Sequence, residues 1–308
     1  MKTLKFMSIL CCLSLLFSAC KDDDKNNLSN NNSPNTEGIG YVETDASPSD
    51  IYDNIISQLN SNENISIIAE VNHSENAQNV GLELDFTRTV YFGNPTLGTP
   101  LLQNNSSAGL DLPQRITVFT DDNGDTIVAY NSIDYLVNRH GLSNVSTTDM
   151  IANALVTIVN NATDKDVVIN SSPPILNDGI ISVTSTNDFN TTYNLILDTL
   201  NSLDAVSVIA ELDHQANAQS VAMELLPTKL IIFGNPAVGT PLMSESRTTA
   251  LDLPQKMLIY ENSDGDVNII YNNPFYIGER HGITENNDTL EMMSQALQTI
   301  SASGTSEN

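Results

Sequence analysis

Tryptophan is absent from the 308 residues, and cysteine occurs three times, at Cys11, Cys12 and Cys20. With no cysteine after position 20, the remainder of the chain has no disulfide, no thiol nucleophile and no thiolate for zinc, which excludes thiol catalysis, thioredoxin-like redox chemistry and Cys-type structural zinc. Positive charge is scarce as well: 12 Lys and Arg stand against 38 Asp and Glu, a net charge of −26. Such a chain repels phosphate backbones, so nucleic acid is excluded as a partner. No Ser or Thr sits in a nucleophile elbow, and no Gly-x-x-x-x-Gly-Lys phosphate loop is present. The sequence therefore carries no strong catalytic signature, and no cofactor is expected from it.

What is present begins with a leader. Lys2 and Lys5 precede the apolar run "FMSILCCLSLLF" of 12 residues, too short for a bilayer crossing of about 20. It leads into "FSAC", ending at Cys20. This resembles a bacterial lipobox, with Phe17 where Leu is usual, and implies a signal peptide over 1–20 and acylation of Cys20. Acyl chains, each adding about 0.8 kcal/mol per buried CH2, would hold the protein on a membrane without a spanning helix. The stretch "KDDDKNNLSNNNSPNTEG" then reads as a flexible tether over 21–37. Its "KDDD" resembles export tags of surface-displayed lipoproteins, so the expected location is the outer membrane or cell surface, with a periplasm-facing lipoprotein as the alternative.

The rest of the chain is written twice. A shift of 141 residues lays "IAEVNHSENAQNVGLEL" (68–84) on "IAELDHQANAQSVAMEL" (209–225), and "FGNPTLGTPLL" on "FGNPAVGTPLM", without a gap. Between residues 67 and 142, 32 of 76 pairs are identical, which marks a duplication rather than a chance motif. The expected domains are 38–163 and 179–304, joined by a Ser, Pro and Asn-rich linker over 164–178.

Within the first copy, "GIGYVET", "ISIIAEVN" and "TRTVYFG" read as strands. "SPSDIYDNIISQLNS" reads as a helix capped by Ser47 or Ser49, with Ile51, Ile55, Ile56 and Leu59 on one face. "SENAQNVG" reads as a short helix or turn, "RITVFTDDNGDTIVAYN" as a hairpin turning at Asn123-Gly124, and "STTDMIANALVTIVNNA" as a closing helix. The Gly-Asn-Pro element reads as a strand-ending turn, with a helix starting at Thr99 as N-cap and Pro100 as first residue. The fold class is α+β: two tandem two-layer domains, each a mainly antiparallel sheet packed with helices. A gapless duplicate on a short linker is expected to meet itself as an intramolecular pseudo-dimer.

The two copies also single out side chains. All four His are matched, His73 with His214 and His140 with His281, and so are Arg88 with Lys229, Arg115 with Lys256, and Arg139 with Arg280. One reading gathers His73, Arg88, Asn94, Thr99, Arg139 and His140, with His214, Lys229, Asn235, Thr240, Arg280 and His281 in the second copy, around a small polar or anionic ligand. The competing reading makes the same groups structural: cations paired with abundant carboxylates, His capping backbone, Gly and Pro setting turns. A third reading is a metal-dependent enzyme holding a divalent ion with Glu70, His73 and His140, or Glu211, His214 and His281. "DDNGD" and "NSDGD" lack the later ligands of a calcium loop and read as turns.

The run "AEVNHSENA", "FGNPTLGTPLL", "LDLPQRITVF", "DNGDTIVAYN", "RHGL" resembles the domain of unknown function 302 family, in both copies. The resemblance implies a compact α+β fold with a sheet covered by helices on one side, and brings no established activity. Tyr91 and Ile232 differ between copies, as do Arg88 and Lys229, so the resemblance leaves ligand contacts there unequal. The function expected is a lipid-anchored envelope protein that binds a small ligand or another envelope protein.

Overall fold

The computed structural model describes residues 34–171 and 175–306. The leader, Cys20 and tether residues 21–33 lie outside the described residues. The first copy runs β1 (Ile39–Thr44), α1 (Pro48–Asn60), β2 (Ser66–Asn72), α2 (His73–Asn79), β3 (Thr87–Gly93), α3 (Pro95–Asn104), a 3-10 turn (Ser106–Leu110), β4 (Gln114–Thr120), β5 (Thr126–Asn131), α4 (Ile133–His140) and α5 (Thr148–Thr163). A short β6 (Val168–Ile169) follows. The second copy repeats the order: β7 (Ile180–Ser185), α6 (Phe189–Asn201), β8 (Ser207–Asp213), α7 (His214–Ser220), β9 (Thr228–Gly234), α8 (Pro236–Glu245), a 3-10 turn (Arg247–Leu251), β10 (Gln255–Glu261), β11 (Val267–Asn272), α9 (Pro274–His281) and α10 (Asn287–Ser303). Both sheets are antiparallel, ordered β2-β3-β4-β5-β1-β6 and β7-β11-β10-β9-β8. The fold is α+β, as the sequence pattern requires.

Local chemistry sets most boundaries. Ser47 caps α1 by accepting from the Asp50 amide, with Pro48 in the first turn. Asn94 does the same for α3, accepting from the Thr96 amide at 3.0 Å, with Pro95 as the first helical residue. The helix therefore starts at the Gly-Asn-Pro element, and Thr99 and Pro100 lie inside it rather than opening it. An Asn carboxamide followed by Pro is the stronger start signal, because it satisfies a free amide and presets φ together. The hairpin also differs from a two-residue turn. Asp121 and Asp125 close a wider loop in which the Asp121 carboxylate accepts from the Asn123 and Asp125 amides and only Gly124 has positive φ. That is a type I turn followed by a left-handed glycine. Helix α4, which the sequence pattern did not disclose, is capped by Ser132 and stopped by left-handed Gly141.

Each sheet buries both faces. Val90, Phe92, Ile116, Val118 and Val128 meet Ile51, Ile55 and Leu59 of α1 and Leu155 of α5. The alternate residues point the other way, towards the second copy: Tyr91 and Val71 pack with Leu230, Ile232 and Leu258, and Phe119, Ile127 and Ala129 with Leu251. Sheet faces thus oppose each other with helices outside, each copy's 3-10 turn wedged against the other's sheet. The approach is close enough that a Cβ on Gly109 would lie 2.8 Å from Leu258 Cδ1. Residues 34–37, read from composition as the end of the tether, are held instead: Asn170 Nδ2 donates to the Pro34 and Thr36 carbonyls, and the Thr36 and Thr248 hydroxyls lie 2.9 Å apart. Part of the linker is likewise ordered, Val168 and Ile169 adding to β1.

Candidate functional site

Between the two copies lies a buried polar layer. Asp111 and Asp252, at matched positions after the 3-10 turns, share Arg115, whose Nη2 reaches Asp111 Oδ1 at 3.1 Å and Asp252 Oδ1 at 3.0 Å. Arg139 Nη1 binds Asp111 Oδ2 at 2.7 Å and Arg280 Nη1 binds Asp252 Oδ2 at 2.6 Å. Each guanidinium also crosses to the other copy, Arg139 to Asn272 Oδ1 at 2.8 Å and Arg280 to Asn131 Oδ1 at 2.9 Å. The Tyr135 and Tyr276 hydroxyls meet at 2.9 Å beside them. Burial works to raise the Asp111 and Asp252 carboxyls, but Arg139 and His140 around the first and Arg280 and His281 around the second hold both well below the usual carboxylate range.

The imidazoles of this layer are uncharged. Burial lowers His140 and His281 despite their hydrogen bonds to the carboxylates. Because an ionised Asp only accepts, His140 Nε2 donates to Asp111 Oδ2 at 2.9 Å and Nδ1 accepts from Ser107 Oγ at 2.9 Å. His281 repeats this with Asp252 and Thr248. Lys256 stands where the first copy has Arg115, but its Nζ is 3.8 Å from Asp111 Oδ1 and makes no hydrogen bond. Burial, together with Arg115, pushes it down to about 7.

Two cavities flank this layer, and each is built from both copies. The larger, about 330 Å³, is lined by Asn235, Gly239, Thr240 and Gln255 of the second copy and by His73 and Asn76 of the first. Its counterpart, about 160 Å³, takes Asn94, Gly98, Thr99 and Gln114 from the first copy and His214 and Asn217 from the second. The walls are otherwise mainly apolar, with Phe233, Leu253 and Leu297 in one and Phe92, Leu112 and Leu155 in the other, and among the described residues no charged side chain lines either.

Several of the lining residues also bury side-chain polar atoms that have no partner and almost no accessible surface. In the larger cavity Gln255, 7% exposed, leaves both Oε1 and Nε2 unbonded, and Thr240, 2% exposed, leaves Oγ1 unbonded. In the smaller one the orphans are Gln114 Nε2 and His214 Nε2. A buried polar atom without a partner costs about 1–3 kcal/mol. His73 does find the Thr89 hydroxyl, at 3.3 Å. Burial pushes both His73 and His214 down to about 4, so neither carries charge near neutrality.

Gly98 and Gly239 add a second feature. Each sits inside a helix, where glycine costs roughly 1 kcal/mol relative to alanine. Neither has positive φ, and a Cβ would meet only Leu112 Cδ1 at 4.0 Å at Gly98, or Leu253 Cδ1 at 3.6 Å and Met243 Cε at 3.7 Å at Gly239. What the missing side chain preserves at both is the open volume of the cavity.

The residues selected from the sequence are thus divided between three places. His73 meets Asn235 and Thr240, and His214 meets Asn94 and Thr99, always across the copies. Arg139, His140, Arg280 and His281 belong to the central layer. Arg88 lies over the Tyr52 and Phe86 rings, 5.6 and 5.2 Å from the centroids, and Lys229 pairs with Asp213 at 3.5 Å. The single cleft per copy is replaced by this exchange, because sheet-to-sheet packing carries α2 of one copy to α8 of the other and α3 to α7. The metal set is dispersed too: Glu70 accepts from Tyr52 Oη at 3.1 Å, Glu211 accepts from Tyr193, and His140 is bound to Asp111. No group of three or more His, Cys, Asp or Glu suited to a metal ion exists among the described residues.

Comparison with known proteins places this architecture. The family described as "Domain of unknown function DUF302" matches residues 41–162 and 181–300. The chain belongs to the DUF302 family. Two curated relatives, "Fluoride-specific ion channel FluC 1" of Brucella suis and of Brucella abortus, are each 34% identical over 124 residues, 39% of this chain and 48% and 46% of theirs. The chain thus spans about half the length of the curated relatives it matches. A solved structure, an uncharacterised conserved protein DUF302 from Bacillus stearothermophilus, aligns over 42% of this chain and 96% of that one, with 16% identity and a TM-score of 0.34. No described helix is long and apolar enough to cross a membrane.

Sequence reasoning passed over the acids and amides of the DUF302 repeats. Asp111, Asp252, Gln114 and Gln255 all sit in "LDLPQ", identical in both copies. An Asp between two Leu and a Gln after Pro, in a pentapeptide unchanged between the copies, were the available signal.

Proposed function

We propose that this DUF302 chain is a binding protein whose two cross-copy cavities each take a small, neutral, largely apolar molecule with a hydrogen-bonding head. The observation that carries this is the pair of matched, mainly apolar cavities, each lined by residues of both copies with Asn, Gln and Thr among them. Pockets of this kind bind by apolar area and orient by a few polar groups. The absence of any charged lining residue favours a neutral ligand over an anionic one, because an ion there would lose its hydration without gaining a counter-charge. The leader and "KDDD" stretch support placing this binding protein on a membrane through acylated Cys20, on the cell surface or facing the periplasm.

The test is titration of the full chain with the neutral fluorophore N-phenyl-1-naphthylamine. Saturable binding at up to two sites is expected, with Gly98→Leu and Gly239→Leu each removing one by filling a cavity. Absence of saturable binding, or binding undiminished in the double variant, would refute the reading.

A further inference from the structure

Of the sheet edges, β2, β6 and β8 are guarded and β7 is not. β2 and β8 each carry a register shift, at Ile67/Ala69 and at Val208/Ala210, and a mid-strand acid, Glu70 or Glu211. β6 is only 2 residues long. Bulges, charges and short strands are the devices that keep a natural edge from pairing with another chain. β7 has none of them: "IISVTS" runs 6 residues in unbroken register with β11, without charge, Pro or Gly. No strand among the described residues pairs with its outer side.

The first copy shows what such an edge accepts. β1, the counterpart of β7, takes β6 as a further strand, with Gly40 facing Ile169 and Tyr41 facing Val168. The Asn170 amide donates to the Ile39 carbonyl at 2.9 Å, and Lys165 Nζ donates to that of Glu43 at 3.0 Å. Ile39, Tyr41 and Val42 are buried there, whereas the matched Ile180, Ser182 and Val183 are half-buried or exposed. The outward carbonyls of Ile39 and Glu43 fix by alternation which backbone groups of β7 face out, those of Ile180, Ser182 and Thr184. The Ile180 amide is engaged by the Asn177 carbonyl at 3.2 Å, which leaves its carbonyl, and both groups of Ser182 and Thr184, for a further strand.

We infer that β7 is a docking edge for a second copy of this chain, the β7 strands pairing antiparallel about a two-fold axis through Ser182 and joining two five-stranded sheets into one. The register is self-complementary. Ser182 exchanges N–H···O bonds with its own copy, and the Thr184 amide donates to the partner subunit's Ile180 carbonyl, as the Asn170 amide does to Ile39. Ile181, which packs with Val183 against α6, comes opposite the partner subunit's Val183, so the apolar face continues across the join. The flanking acids Asp178 and Asp188 fall opposite Thr186 and Leu176, whereas an axis through Val183 would set Asp178 against Asp188. A foreign strand would find no charge on β7 to select it.

Sedimentation of the full chain in non-ionic detergent tests the pairing, at about 0.15 M salt, where the −26 charge of each copy is screened beyond about 8 Å. Reversible, concentration-dependent dimerisation is expected. Ser182 is exposed in the single chain, so Ser182→Lys and Ser182→Asp leave the fold in place and set like charges against each other across the axis. Each alone should weaken dimerisation by about five-fold or more, and an equal mixture should restore it to within about two-fold, because Lys then faces Asp. That recovery separates lost pairing from lost folding. A chain still monomeric at about 0.5 mM, or a dimer indifferent to both substitutions, as one made through the leader would be, would overturn the inference. So would a chain that stays monomeric yet binds the free peptide "DKDVVIN" (residues 164–170), a result that assigns the edge to a foreign strand.

Discussion

Replacing Gln255 by Leu should stabilise the unliganded protein. The side chain is 7% exposed and neither polar atom is bonded, so folding strips water from an amide and returns nothing. Orphaning a buried polar group costs about 1–3 kcal/mol. Leu has similar length, adds apolar contact with Phe233, Leu253 and Leu297 along the same wall, and removes both orphans together. A net gain of about 1–2 kcal/mol follows, and at about 2–4 °C per kcal/mol for a chain of this size the melting midpoint should rise by roughly 2–8 °C. Scanning calorimetry on reference and variant chains without ligand gives the measurement. A variant that melts lower than the reference would show that the amide is satisfied in the folded state and would refute the reasoning.

Three further outcomes follow from the same geometry. Asp252→Asn leaves Arg280, Arg115 and His281 buried around a neutral amide and should cost about 3–5 kcal/mol, read as a lower urea midpoint; a cost under about 1 kcal/mol would contradict the buried network. His73 and His214 sit near 4 in the folded chain against 6.5 unfolded; the unfolded state therefore takes up protons first, and stability present above pH 6.5 should be lost as pH falls towards 4, by up to about 3 kcal/mol per imidazole, with a flatter urea-midpoint profile in His73→Gln. Lys256, near 7 folded against 10.5 unfolded, penalises the fold below pH 10.5 and most fully below 7, so Lys256→Met should gain about 1–4 kcal/mol at pH 7 and abolish the rise in stability between pH 7 and 10.

Much of the fold could be read from the residues because it is decided locally. Ser47-Pro48 starts α1, Ile51, Ile55 and Leu59 give it a face, and alternating residues mark the strands of the hairpin. Helix α4 escaped because "SIDYLVNRH" is short and its face is completed by Tyr135 and Arg139, which meet Tyr276 and Asn272 more than a hundred residues away, and by His140, which meets Ser107 and Asp111. The site was legible in its membership and not in its grouping. Matching positions 141 apart pointed to His73, Asn94, Thr99 and their counterparts, yet the assumption that one copy's residues share one cleft came from chain proximity. Sheet-to-sheet packing decides otherwise, and nothing in a single copy's periodicity shows which face meets the other copy. Arg88 and Arg139, which suggested an anionic ligand, lend no charge to either cavity: one guanidinium lies over aromatic rings and the other binds Asp111.

The exchange also gives the duplication a physical purpose. Neither copy alone can line a cavity in full, since the imidazole wall always comes from the other, and Asp252 draws its second guanidinium, Arg115, from the first copy. Two separate copies would have to meet by diffusion, whereas a short linker turns that meeting into an intramolecular event at millimolar effective concentration. Covalent fusion has a second consequence that a symmetric dimer lacks: the halves are free to diverge. Arg115 bridges both carboxylates while Lys256 makes no hydrogen bond, and the two cavities measure about 330 and 160 Å³. Identical "LDLPQ" segments thus end in unequal sites, because the side chains around each Gln differ: Met243 and Met293 of its own copy with His73 of the other on one side, Ile151 and Leu155 of its own copy with His214 of the other on the other.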